Sequence, residues 1–295
     1  MFLMFTPYTF IFSFIYLLLL ISLFFISDFY LFWLIMEVVM LLFMGVSYTI
    51  FTHSFSYLMI YFLIQTIASF SILLFYMCDF STLLLFSFLL KLGLFPFHGW
   101  FINVSRRFPN LLLYIISTFH KLPVFIMMDY FLNFSSIEVL ILFCSLNFLV
   151  CGFTMMNSTE FRTILVLSSV ANNSWFILSC YFSFFLFLVF FFFYSLLMFL
   201  LLSNLSTLNN LSFSSYSSSS TFSGALMLLM MSGMPPFPIF FCKMGVFYFM
   251  VSTFSFTFFT YLFILSSVVV FVGYYRLLVK YFIYSHTPSY FLYTI

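Results

Sequence analysis

Charge is nearly absent from this sequence, and that scarcity limits what the chain can fold into. Asp, Glu, Lys and Arg make up 5% of its 295 residues, against about 25% in a water-soluble domain. Hydrophobic residues supply 66%. Apolar runs of roughly 20 residues cross a bilayer as helices, and in lipid each backbone polar group must find its partner inside the protein. The composition predicts an all-α, polytopic membrane bundle. No charged leader, short apolar segment and small-residue cleavage site open the chain, so its first apolar stretch is expected to be a span.

Polar and Pro/Gly punctuation divides the chain into about ten helices, near residues 5–26, 29–50, 55–77, 81–102, 110–131, 136–156, 160–180, 182–203, 222–251 and 256–281. The tract LSTLNNLSFSSYSSSST at 205–221 is polar and low in complexity, and reads as a flexible loop between the eighth and ninth helices. Two halves of five helices each are expected, 1–132 and 133–295.

Several function classes are disfavoured by composition. The 55 Phe and 20 Tyr accompany little Ala and little Lys, a pattern that a T-rich coding strand explains, as is common in mitochondrial genomes. Phe is as acceptable to lipid as Leu, so the aromatic content reads as filler rather than as a binding stripe. Cys78, Cys144, Cys151, Cys180 and Cys242 show no CxxC or Cys/His ligand spacing, and read as packing residues without a metal. The formal charge of +2 includes no basic run, so no nucleic-acid partner is implied. His53, His98, His120 and His286 lack the paired placement deep in facing helices that axial haem ligation needs.

The charges near helix ends sort by side. Loops after even-numbered helices hold Arg106 and Arg107, Glu160 with Arg162, and Arg276 with Lys280; loops after odd-numbered helices hold Asp28, Asp79, and Asp129 with Glu138. The positive-inside rule then puts both termini on the cytoplasmic side, which in a mitochondrion is the matrix.

Within the apolar stretches lie Lys91 (FSFLLKLGLFPFHGW), Lys121 (YIISTFHKLPVFIMM) and Lys243 (MSGMPPFPIFFCKMG), with Glu37 (FWLIMEVVMLLF) as the one carboxylate well inside a span. An intramembrane ionisable group is costly and marks ion or proton pathways. Proximity of a carboxylate and an ammonium favours both charged forms. Glu37 and Lys91 are therefore expected to form a switchable pair that releases a proton on separation; a static structural ion pair is the bland alternative. Lys121 and Lys243 need water, hydroxyls or carbonyls, which implies a hydrated polar strip. His98 follows the first Gly/Pro break and His120 precedes Lys121; each is a weaker candidate for a proton relay, beside a simpler reading as a hydrogen-bonded structural group.

Lys91 precedes a break at Gly93 and Pro96, whereas Lys243 follows one at Pro235, Pro236 and Pro238. Broken helices at matching places in two halves are a device of inverted-repeat transporters, which expose backbone groups near the midplane. Pro123 would locally free a carbonyl or kink the fifth helix. SSVANNSW at 168–175 could line a water path or serve as polar packing.

KLGLFPFHGW at 91–100, HKLPVF at 120–125, EFRTILVLSSVANNSW at 160–175 and SGMPPFPIFFCK at 232–243, with FWLIMEVVML at 32–41 and YFLIQTIAS at 61–69, resemble the antiporter-like subunits of respiratory complex I. The likeness runs from about residue 28 to 245. It implies a proton-translocating subunit of NADH:ubiquinone oxidoreductase in the mitochondrial inner membrane, with no redox centre or cofactor of its own. The other membrane-arm subunits, including neighbouring antiporter-like ones, and membrane lipids would be its partners. In that family a glutamate and a lysine form the first coupling pair, here Glu37 and Lys91. The central lysine matches Lys121, and the lysine of the second broken helix matches Lys243. Thr163 and Asn172 depart from residues common in the family, as does the lack of an acid in FINVSRR, and the family's last helix is expected to be absent. A stand-alone cation/proton antiporter and a non-pumping structural subunit are the other readings.

Overall fold

The computed structural model describes residues 7–50, 55–131, 137–158, 160–210, 218–254 and 258–286, and every regular element among them is helical. Helix order is α1 (Pro7–Ser22), α2 (Phe29–Ile50), α3 (Phe55–Met77), α4 (Ser81–Leu92), α5 (His98–Ser105), α6 (Asn110–Ser117), α7 (Leu122–Phe131), α8 (Ile137–Asn157), α9 (Phe161–Phe182), α10 (Phe184–Asn210), α11 (Ser218–Ser232), α12 (Pro238–Phe254) and α13 (Phe258–His286). A 3₁₀ turn at Leu23–Phe25 follows α1 and another at Phe119–Lys121 joins α6 to α7. Among the described residues, six stretches are long and apolar enough to cross a membrane, including 29–50, 110–131 and 184–204. Shorter apolar helices arise where spans are interrupted, as in α4 and α12. Taken together, α4 with α5, α6 with α7, and α11 with α12 replace single helices, so the described elements group into ten spans close to the expected ones.

One boundary differs. The polar tract expected as a loop over 205–221 is helical as far as Asn210 and again from Ser218; residues 211–217 lie outside the described residues. Ser, Thr and Asn are only modestly poor helix formers. A polar run therefore does not by itself stop a helix entered from twenty apolar residues.

The chain divides into two compact units, 1–137 and 138–295. In the first, α1 packs on α2, α2 on α3, α3 on α4, and α7 reaches both α2 and α4. In the second, α9 packs on α10, α12 and α13, while α11 packs on α10 and α13. The α6–α7 span is largely buried and α9 almost wholly so. Most of each of these two is therefore withdrawn from lipid.

Several polar side chains of α9 are satisfied locally. Ser168 and Ser169 donate to the carbonyls of Leu165 and Val166 at 2.7 Å each, and Asn147 of α8 donates to the Val170 carbonyl at 3.0 Å and to Ser174 Oγ at 2.8 Å. Of the two uses open to SSVANNSW, those contacts are polar packing between and along helices. Large apolar side chains such as Phe10, Phe185 and Leu265 point outward, as lipid permits. Four of the five cysteines are buried, Cys78 is exposed, and all five carry free thiols.

Candidate functional site

Both broken spans are built from the same short sequence. Gly93-Leu-Phe-Pro-Phe97 and Gly233-Met-Pro-Pro-Phe237 share Gly, Pro and Phe at equal spacing. Gly93 and Gly233 take left-handed φ values of 65° and 79°, a conformation that glycine adopts without the Cβ clash other residues meet. The Gly93 N–H bonds the Leu90 carbonyl at 3.2 Å and the Leu94 N–H bonds Leu89 at 2.9 Å, a Schellman closure of α4. At the other break the Gly233 N–H bonds Met230 at 3.2 Å, and the Phe237 N–H bonds Met234 at 3.1 Å. Proline then prevents the helix from simply continuing, and α5 and α12 begin directly after each turn.

Lys91, in the last turn of α4, is 5% exposed. Its Nζ lies 3.6 Å from Glu37 Oε1 on α2, and the Glu37 side chain keeps 20% exposure. That separation allows Coulomb attraction but exceeds a hydrogen bond. The backbone of Lys91 is held separately, because Gln65 Nε2 on α3 donates to the Lys91 carbonyl at 3.0 Å. A carbonyl freed by the break thus receives a side-chain donor, as a helix end buried away from water requires.

The third interruption brings up Lys121. Thr118, at φ −121° and ψ −90°, ends α6, and its hydroxyl bonds the Tyr114 carbonyl at 2.7 Å. The chain resumes through the 3₁₀ turn Phe119–Lys121. This break sits before Pro123, and the Phe119 carbonyl accepts the Leu122 N–H, so the proline neither kinks a continuous helix nor leaves that carbonyl free. Lys121 is 4% exposed, with Nζ 4.7 Å from the centre of the Phe101 ring, a cation–π placement. His120 is 8% exposed, against the rings of Phe43 at 5.0 Å and Tyr61 at 5.7 Å, and its Nδ1 has no hydrogen-bond partner.

Lys91, His120 and Lys121 meet at one small cavity, together with Gln65, Tyr61 and Phe101. Its room for water centres is about 10 Å³, enough for about one water molecule. Glu37 stands behind Lys91 as that lysine's ionic partner. The first unit therefore gathers four of the six candidate residues around one polar point. His98 stands apart from the cavity lining, at the start of α5, with its ring 6.4 Å from Phe95.

Lys243 occupies the second unit. Its Nζ donates to the carbonyl of Ser232, the last residue of α11, at 3.0 Å, and lies 5.5 Å from the centre of the Trp175 ring. A lysine at a helix C-terminus meets the negative end of the macrodipole. Trp175 is itself fixed by edge-on contacts with Phe148, Phe247 and Phe263 at 5.6, 5.0 and 4.9 Å. A side-chain donor thus meets the carbonyl end at both Gly-x-x-Pro-Phe breaks: a neutral amide from Gln65 in one, an ammonium from Lys243 in the other.

Sequence reasoning did not single out Gln65, Phe101 or Trp175. Gln65 had a legible signal, being the one amide in the apolar run YFLIQTIAS. Trp175, one of three tryptophans, closes the SSVANNSW motif but had no role assigned to it; Phe101 had no signal among 55 phenylalanines. No group of three or more His, Cys, Asp or Glu able to hold a metal occurs among the described residues.

No protein-family model matches the chain. Part of it is similar to proteins named NADH-ubiquinone oxidoreductase chain 2: 34% identical over 94 residues to that of Strongylocentrotus purpuratus, covering 32% of this chain and 27% of the relative. The likeness to the Caenorhabditis elegans protein is 31% over 111 residues, or 38% of each. The matched segments thus span about a third of the curated relatives. Among solved structures, a chain of respiratory complex I from Thermus thermophilus superposes with a TM-score of 0.70 at 18% identity, over 83% of this chain and 63% of that one. A chain of the Mrp complex from Dietzia sp. gives 0.69 at 13%, over 85% and 56%. The fold is accordingly that of a multi-pass membrane bundle shared with chains of those two assemblies.

Proposed function

We propose that this chain is a proton-translocating, antiporter-like membrane subunit of NADH:ubiquinone oxidoreductase. It would lie in the mitochondrial inner membrane with both termini on the matrix side, among other membrane-arm subunits and lipid. The observation that carries the reading is the Glu37–Lys91 ion pair at a broken helix end, with Lys91 opening onto the cavity it shares with His120 and Lys121. Buried charges at such a place are functional by default, since hydrocarbon penalises them.

In this reading the redox chemistry happens in other subunits, and the chain binds no cofactor itself. A conformational or electrostatic change reaching the first unit separates Glu37 from Lys91. Lys91, parted from the carboxylate, then passes a proton toward Lys121 as Lys121 releases its own onward. His120, beside both lysines, is the nearest relay candidate; His98 is a weaker one. Lys243, at the second break, is a further titrating position in the same sequence. The shared Gly-x-x-Pro-Phe turn supports a reading of the chain as two inverted five-helix repeats, 1–132 and 133–295, with a broken span fourth in each.

Likeness to a chain of the Mrp complex favours a second reading, a cation/proton antiporter that works without a redox partner. Gentle detergent extraction of native membranes, native electrophoresis and in-gel NADH oxidation separates the two. Co-migration of this chain with a very large NADH-oxidising band supports the first. A small, redox-silent species carrying the chain would sink it and favour the second.

A further inference from the structure

Gln65 has a use that the lysine sequence above leaves open. The residue is 3% exposed, midway along α3. Only the nitrogen of an amide can donate to a carbonyl, so the 3.0 Å bond to the Lys91 carbonyl fixes Nε2 there and directs Oε1 the other way. That oxygen is buried and has no hydrogen-bond partner. Buried polar atoms in folded proteins are met by another group or by ordered water. Gln65 lines the same cavity as Lys91, His120 and Lys121, which has space for about one water, and His120 Nδ1 is a second buried atom without a partner.

We infer that this cavity is a specific site for one ordered water, which Gln65 orients between Lys91 and Lys121. A water has two protons to give and lone pairs to receive. It donates to Gln65 Oε1 and to His120 Nδ1, and accepts from a lysine ammonium. The amide that holds the water also holds the Lys91 carbonyl, so a shift of the broken end of α4 moves the water with it. Gln65 is thus a positioning residue: it carries no proton, and sets where the carrier sits. Its role in transfer rests on the proton-translocation reading, whereas the water site itself does not.

The test uses the native membrane assembly that contains the chain, imaged by electron cryo-microscopy at a resolution that shows water, alongside proton translocation in reconstituted vesicles. Ordered density within hydrogen-bond reach of Gln65 Oε1 and His120 Nδ1 is expected. In Gln65→Met, nearly equal in volume, that density is lost and translocation slows several-fold while Lys91 stays beside Glu37. No density at that point in the unaltered assembly overturns the inference whether or not the variant assembles, and so does density that survives in Gln65→Met. Loss of the water with normal translocation overturns the positioning role alone, provided Lys121→Met still slows translocation. Normal translocation in both variants instead rejects the proton reading, and the transfer role with it.

Discussion

Glu37 and Lys91 lie 3.6 Å apart on α2 and α4, within Coulomb range yet beyond hydrogen bonding. A contact of that length has room both to tighten and to part. Removing one partner strands the other, which for a buried pair costs about 3–5 kcal/mol; because Glu37 retains 20% exposure, Glu37→Gln is expected near the low end, about 3 kcal/mol. Less assembled protein should be seen on native gels. Adding Lys91→Met should restore assembly without restoring proton translocation; restored translocation would show the pair to be architectural.

Lys121→Met should assemble nearly normally, since the methionine thioether can pack against the Phe101 ring. Coupled proton translocation should fall. Vesicle acidification per electron transferred is the readout, and an unchanged ratio would remove Lys121 from the path. Phe101→Leu keeps the charge but loses the cation–π contact, about 1 kcal/mol, so a milder defect in the same assay is expected.

The two left-handed glycines should respond differently to alanine. Both meet the strain of a Cβ at positive φ, about 1–2 kcal/mol. At Gly93 the added atom falls 2.5 Å from Phe101 Cβ, an atom fixed by its own backbone. At Gly233 it falls 2.8 Å from Lys243 Nζ, the far end of a long side chain. Gly93→Ala is expected to abolish assembly; Gly233→Ala should assemble with Lys243 displaced from the Ser232 carbonyl. Equal assembly yields of the two variants would count against this account.

Trp175→Leu removes the ring beneath Lys243 and the centre of a cluster of three phenylalanines. Loss of a buried aromatic costs about 3 kcal/mol, so a lower melting temperature of the assembly is expected. If translocation also falls in the fraction that survives, the ring serves the lysine as well as the fold.

The spans were legible because apolar length and scarce charge are local properties, and the Gly/Pro breaks were legible because proline and left-handed glycine act within a few residues. The pairing of Glu37 with Lys91 could be anticipated because each is an isolated charge in lipid-length sequence. The convergence of His120 and Lys121 on the same cavity as Lys91 could not. It depends on α4 packing against α7, a neighbour relation between spans that no short stretch encodes. Position 118, where the sixth helix ends, was missed for a related reason: Thr118 is an ordinary residue, and Pro123 drew attention to the wrong turn. Over 205–221 composition suggested a loop, but helix continues into both edges of the tract.

Enclosure of α9 has a consequence for how the chain is made. Of the six membrane-length helices among the described residues it is the least apolar, owing to Ser168, Ser169, Asn172, Asn173 and Ser174, while α10 is the most apolar and follows after Ser183 alone. A segment carrying those amides partitions weakly from a translocation channel into lipid. Insertion of both helices as one hairpin, with α10 drawing in its reluctant predecessor, is the route this contrast favours. The residues that suit α9 to the inside of the finished bundle make it dependent on its neighbour at birth.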